Sequence, residues 1–462
     1  MLGIIRNSFK KIGIDQAIAY TILARVLQAG GGAVSIIFIA KYLNKVEQGY
    51  FFTFNSIIAI QIFFELGLSN IITQFVAHEV ANLKWVSKTE LEGSPEALSR
   101  LSSLLQFCVK WFAVISFVFI FILIAAGYFF FSAYGKGSNV NWQLPWIVLS
   151  VATACLLLVS PILAFFAGLG LVKEVAQIKL IQQIVNLLFL FVLLPLGGKL
   201  YASPLGSMTA FLVVPIWIFF SYKKKMLYFI WGKLKGWSVN YRTEIFPYQW
   251  RIALSWISGY FMYQLFNPVL FATDGPVVAG QMGISLAALS GILTVSLSWI
   301  NTKVPQFSIL IARENYSDLD SLFNRTLKQA SAVCLMCLLF FIGVIAALKS
   351  HNINIGTRFL PILPLALLST STFVNQLVSA WATYLRCHKK EPFLLFSVVM
   401  AVLTAAATLG LGKFFGLMGI VYSYTFLTVF VSLAWAYIIF VRKKKEWHEH
   451  VVPAQAVVVE SN

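Results

Sequence analysis

The sequence predicts an all-α polytopic membrane protein of about twelve transmembrane helices in two six-helix lobes. Three observations carry this. Twelve apolar runs of roughly twenty residues follow one another, each long enough to cross a ~30 Å hydrocarbon layer as a helix. Apolar residues make up 59% of the 462 and charged ones only 11%, with a mean hydropathy of +0.81, far from soluble-domain composition. Every second gap is basic. The gaps and tails on one side hold 26 of the 35 Lys and Arg, and those on the other side hold seven. Basic loops stay in the cytoplasm, so both termini are expected there.

Span one, 17–40, follows Arg6, Lys10 and Lys11. It is too long for a signal peptide and lacks a cleavage site. Its Gly30, Gly31 and Gly32 weaken a helix and permit close packing or a hinge. Span two is 49–77, span three 104–133 and span four 145–171. Spans five and six, 177–198 and 201–222, flank the short GGK turn. Spans seven to twelve are 252–274, 277–302, 329–349, 358–385, 392–412 and 416–441. Prolines within or beside them, including Pro161, Pro215 and Pro268, mark expected kinks. The outer connections are all short, which leaves no external loop to hold the substrate of a membrane polymerase, ligase or protease.

The longest inner link, 223–251, carries Lys223, Lys224, Lys225, Lys233, Lys235, Arg242 and Arg251 against one acid, Glu244, with aromatics interleaved. That mixture suits a segment in the headgroup layer, either resting there or touching a lipid-linked substrate. It divides the chain into a six-helix lobe, 1–222, the link, a second lobe, 252–441, and a tail, 442–462. An even number of spans per half gives a parallel repeat. A faint echo agrees: Gly49 precedes Asn70 as Gly280 precedes Asn301, and Gln-Phe follows each Asn at 74–75 and 306–307.

Charges inside a bilayer are costly and usually face a partner or a wet cavity. Three stand out: Arg25, Glu65 and Lys110. Arg25 and Glu65 fall at similar depth on consecutive antiparallel spans. They form either a buried bridge or a cationic cavity in which Glu65 takes a proton or an ion. Lys110 has a stem long enough to snorkel to the inner surface. Among polar residues within spans, Gln61, Gln264, Asn267 and Asn301 are candidates for substrate or interhelical hydrogen bonds. The charge of +18 is accounted for by short loops and anionic lipid headgroups, so nucleic acid is not an expected partner. Cys334 and Cys337 form a CxxC inside an apolar helix, where packing explains them. The five histidines show no metal spacing, and no catalytic constellation or nucleotide-binding motif occurs. Neither an enzyme nor a cofactor is expected, and active transport would draw on an ion gradient (H+ or Na+), the membrane potential or the substrate's own gradient.

The stretch GYFFTFNSIIAIQIFFELGLSNIITQFVAHE at 49–79, the preceding FIAKYLNKVEQ and the inner loop GLGLVKEVAQI at 168–178 resemble bacterial polysaccharide flippases of the Wzx type. These belong to the multidrug/oligosaccharidyl-lipid/polysaccharide exporter superfamily. The resemblance implies two lobes around a central cavity that open alternately, in the bacterial cytoplasmic (inner) membrane. It implies an undecaprenyl-pyrophosphate-linked oligosaccharide as substrate, as in O-antigen and lipopolysaccharide synthesis, and a polysaccharide polymerase as downstream partner. A cationic cavity suits a pyrophosphate, and Arg25 and Lys110 fit it loosely. Rival readings are a multidrug exporter or another lipid-linked-precursor exporter of the same superfamily, and, from another class, a membrane glycan polymerase or acyltransferase. A drug exporter for cations needs deep carboxylates, which spans seven to twelve lack.

Overall fold

The computed structural model describes residues 16–233 and 235–449, with the side chains of 16–26, 28, 29, 248, 251 and 449 outside that description. The described residues are all-α apart from one small hairpin. In order come α1 (Gln16–Tyr42), α2 (Lys45–Ile58), a 3-10 turn (Ala59–Gln61), α3 (Ile62–Glu65) and α4 (Leu68–Val80). The hairpin β1 (Leu83–Trp85) and β2 (Leu91–Gly93) follows, antiparallel with Leu83 opposite Gly93. Next are α5 (Pro95–Tyr134), α6 (Gln143–Gly168), α7 (Val172–Leu193), α8 (Ala202–Phe219) and α9 (Lys223–Trp231). The chain continues through α10 (Phe246–Tyr263), α11 (Phe266–Thr273), α12 (Pro276–Ala312), α13 (Tyr316–Ser350), α14 (Ile362–Arg386), α15 (Leu394–Phe426) and α16 (Leu433–Glu449).

Among the described residues, nine helical segments are long and apolar enough to cross a membrane. The twelve expected runs map onto this set once three details are read. The segment 394–448 contains Gly416 at φ 55° and ψ −137°, a break between spans eleven and twelve. Span seven is interrupted at Gln264 and Leu265. Pro268 cannot donate to the Gln264 carbonyl, so the helical ladder stops there. Span one is one helix, α1, which runs through its three glycines without a break. A Cβ at Gly31 would meet Leu187 Cδ1 at 2.5 Å, so at this position glycine serves close packing of α1 on α7. Span three starts earlier than its hydropathy shows. Ser94 caps α5, accepting from Ala97 N–H, with Pro95 at the first turn, which is the sequence preference for a helix start.

The chain divides into two compact units. The first comprises the described residues up to Tyr260 plus Asp274–Gly280. In it α1 lies along α7, α7 along α8, and α6 against α4, α5 and α8. Tyr50, Phe54, Phe131 and Trp146 interlock at centroid distances of 5.1–6.1 Å. Trp146 Nε1 donates to the Leu123 carbonyl at 3.0 Å. The two echo glycines meet here. A Cβ at Gly49 would lie 1.9 Å from the Pro276 carbonyl oxygen, and one at Gly280 would lie 2.8 Å from Gly49 N. Gln48 Nε2 donates to the Gly280 carbonyl at 2.8 Å beside this crossing. Because the obstacle is backbone, Gly49→Ala is expected to lower stability by roughly 1–3 kcal/mol. The check is the melting temperature in detergent; an unchanged value would contradict the crossing.

The second unit comprises Phe261–Thr273 and the described residues from Gln281 on. Here α14 packs against α13, α15 and α16, and α11 against α15. Phe307, Phe323, Trp381, Tyr384 and Phe440 form an aromatic core at the end that carries the basic loops, with Trp381 stacked on Phe440.

Candidate functional site

Span two is broken where its one acid sits. Leu66 and Gly67 both take left-handed backbone, at φ 48° and φ 69°. A non-glycine residue there is uncommon. The break ends the helix at Glu65 and starts α4 at Leu68. Leu66 N–H still bonds the Ile62 carbonyl at 3.0 Å, while the following carbonyls lose their helical partners. A helix C-terminus carries partial negative charge, so a carboxylate there is poorly placed unless it meets a proton, a cation or hydroxyl donors.

Hydroxyl donors are present. Ser69 Oγ donates to Glu65 Oε1 at 2.7 Å, and Ser160 Oγ donates to the same oxygen at 3.3 Å. The two serine oxygens lie 3.1 Å apart. Thr73 Oγ1 extends this polar seam between α4 and α6, within reach of the Ser69 and Ala164 carbonyls at 3.1 and 3.0 Å. Pro161, next to Ser160, leaves the Leu157 carbonyl without its helical donor. Gly168 brings the helices close: a Cβ there would meet Val76 at 2.6 Å. On the other side of the break, a Cβ at Gly67 would meet Ile252 at 2.4 Å, and Phe63 packs edge-on against Tyr260. Half-buried Glu65 makes no ion pair among the described residues. Glu65 thus stands at a break inside a membrane span with two serine hydroxyls on one carboxylate oxygen.

The other expected site residues are dispersed. Gln61 ends the 3-10 turn one helical turn before Glu65. Arg25 lies on α1 with its side chain outside the described residues, and α1 packs chiefly on α7. Lys110 is exposed, accepted by Gln106 Oε1 at 3.0 Å and set 5.7 Å over the Trp231 ring. In the second unit, Gln264 stands at the break in span seven and Asn267 is buried just beyond it. Asn301 is exposed on α12, as its echo Asn70 is on α4. The five cysteines are free, and no group of residues able to hold a metal occurs among the described residues.

Sequence reasoning missed a second feature of the first unit. Arg100, counted as a loop charge, joins two carboxylates: Nε donates to Glu79 at 2.8 Å and an Nη to Glu244 at 2.6 Å. Both hydrogen bonds raise the guanidinium pKa. The Glu244 carboxyl is held below its ordinary value, chiefly by the bond from Arg100. The three groups line a pocket of about 480 Å³ with Gln74, His78 and Thr243. One cation between two anions leaves the cluster net negative, so it clamps the link to α5 and does not attract an anion. Hydroxyls on the start of α5 complete the clamp. Ser99 Oγ donates to the Trp237 carbonyl and accepts from Lys235 N–H, both at 2.8 Å; Ser102 Oγ donates to the Trp231 carbonyl at 2.9 Å. On α9, Met226 and Ile230 are fully buried, and Lys223, 4% exposed, pairs with Glu174. Lys224, Lys225 and Tyr228 face outward. The signal in sequence was the run of serines at 99, 102 and 103 ahead of the apolar part of span three.

No family model and no curated protein matches the chain. Solved structures do. The MATE multidrug transporter DinF-BH, in complex with R6G, superposes with a TM-score of 0.56 at 12% identity, covering 94% of this chain and 96% of its own. The lipid II flippase MurJ, in an inward closed conformation, gives 0.52 at 15%, covering 93% and 86%. An outward-facing MATE family multidrug resistance transporter of the MOP superfamily gives 0.51 at 14%, covering 93% and 96%. The protein therefore has an all-α polytopic membrane fold like that of these solved structures.

Proposed function

We propose that this protein is a flippase that moves an undecaprenyl-pyrophosphate-linked oligosaccharide from the inner to the outer leaflet of the bacterial cytoplasmic membrane. Its two units would alternate access, driven by H+ or Na+ uptake at Glu65. The observation that carries this reading is the distribution of acids on a transporter fold. Among the described residues, Glu65 is the one acid deep within a membrane span, at the break inside span two. Among the described residues, the second unit's acids lie at helix ends and in loops of the basic end, at Glu314, Asp318, Asp320, Glu391, Glu446 and Glu449. A carrier of organic cations needs carboxylates along its path, whereas a carrier of a pyrophosphate needs few and gains from their absence. The single carboxylate is then available for coupling. The lipid II flippase among the structural neighbours supports a lipid-linked substrate, and the residues resembling Wzx-type flippases support an oligosaccharide one. Oligosaccharide delivered outside is the material a polysaccharide polymerase joins.

A deletion strain tests the reading. Undecaprenyl-linked glycan should accumulate on the inner leaflet and surface polysaccharide should fall, with wild-type protein restoring both. Unchanged surface polysaccharide together with heightened sensitivity to cationic dyes would instead assign a drug exporter.

A further inference from the structure

At the basic end of the second unit lies a pocket of about 830 Å³ that the transport reading does not use. Its walls are apolar side chains of α12, chiefly Val304, Ile309 and Ile311, and its rim is the loop Arg386–Lys390 that ends α14. Trp447 and Tyr316 close the sides. Ile309 is half exposed beside it, an apolar surface that a hydrocarbon chain can cover. The rim is cationic. Arg386 is held by Glu391 in a two-pronged pair at 2.7 and 3.1 Å. Lys389 and Lys390 are exposed and make no ion pair among the described residues; Lys390 sits 4.8 Å over the Trp447 ring. Lys389 is in left-handed backbone at φ 59°, which turns the chain at the rim. The His388 ring reaches inward, with Nδ1 3.3 Å from the Tyr384 carbonyl and Nε2 buried without a hydrogen-bond partner among the described residues. Burial and the nearby cations hold this imidazole below its ordinary pKa.

We propose that this pocket binds an anionic glycerophospholipid of the surrounding leaflet. Lys389 and Lys390 take the phosphate, and the acyl chain covers Ile309. Three features select this occupant. Two ammonium groups that make no ion pair among the described residues fit one phosphodiester, since a lysine is a compact phosphate donor. Trp447 and Tyr316 beside a basic rim are the composition of a headgroup layer. The apolar wall demands a ligand with a hydrocarbon part, which inorganic phosphate or a nucleotide lacks.

The test uses purified full-length protein in mixed micelles and native mass spectrometry of bound lipid. Phosphatidylglycerol should be retained about tenfold better than phosphatidylcholine. The preference should vanish in the Lys389→Asn/Lys390→Gln double variant, where Asn tolerates the left-handed backbone. It should persist in Lys224→Gln/Lys225→Gln, which removes the same charge from α9. Unaltered melting of the lipid-free double variant confirms folding. Equal retention of both lipids by the wild type, or equal loss in the two variants, would overturn the proposal. Displacement of phosphatidylglycerol by much lower concentrations of farnesyl diphosphate would also overturn it, and would assign the pocket to a polyprenyl diphosphate substrate.

Discussion

Replacing Glu65 by Gln is expected to cut transport by about tenfold or more, while membrane insertion and melting temperature stay as in the wild type. The amide keeps the volume of the carboxylate, and its oxygen still accepts from Ser69 and Ser160, whose bonds both end on Oε1. What it loses is the capacity to bind a proton or to balance a cation at the negative end of the broken helix. If uptake there drives the conformational cycle, the whole coupling term disappears, and such terms commonly correspond to 5–150-fold. Glu65→Asp, one methylene shorter, should retain intermediate activity. Surface polysaccharide in a complemented deletion strain, normalised to protein in the membrane, is the measurement. A structural Glu65 gives the opposite pattern: Gln would transport normally and only Glu65→Ala, with its serines left unpaired, would fail. Ser160→Ala removes the weaker of the two bonds and should lower transport less than Glu65→Gln does.

Glu65 was legible because a charge in an apolar run has few innocent explanations. Its setting was not. Ser69 and Ser160 are 91 residues apart in sequence and are unremarkable singly, since serines in membrane helices commonly bond their own backbone. Nothing in the hydropathy of FFELGLSN marks two successive left-handed residues, although the glycine offered the freedom for one of them. The break in span seven had a clearer cause, Pro268, and the break at Gly416 fell where a short outer turn was expected. The charges of the basic link point to a headgroup-layer segment. In the fold its outward side keeps Lys224, Lys225 and Tyr228, while Met226 and Ile230 pack inward. A nine-residue helix presents both faces, and composition alone does not rank them. The glycine echo at 49 and 280 had a physical origin that periodicity does not reveal: these are the two sides of one backbone crossing.

Arg100→Ala is expected to be the most damaging single change outside the apolar core, with a cost of roughly 3 kcal/mol. The substitution leaves two carboxylates facing each other without their shared cation, and the Glu79 side chain is only 8% exposed. Glu244 also accepts from Asn240 N–H at 2.9 Å at the start of the turn that leads into α10, so its displacement loosens the entry to span seven. The serine bonds to 235–239 remain, but each contributes about 1 kcal/mol and they hold only the near side of the link. Amide hydrogen exchange over 235–246 should therefore accelerate in Arg100→Ala, and less in Arg100→Lys, which keeps the charge but not the two-pronged geometry. The same assay carries a pH dependence of defined sign. A carboxyl whose folded pKa is lowered contributes stability that is present above its unfolded value of about 4.3 and is lost as pH falls through the lower folded value. For Glu244 the link should stay docked at pH 7 and loosen progressively below about pH 4, with Arg100→Ala abolishing most of that dependence. Exchange that is fast at pH 7 in the wild type, or a variant indistinguishable from it, would show that the guanidinium does not hold the link. Because this clamp joins the foot of α4 to the foot of α5, directly below the polar seam that ends at Glu65, its loss should also lower transport without touching the carboxylate itself.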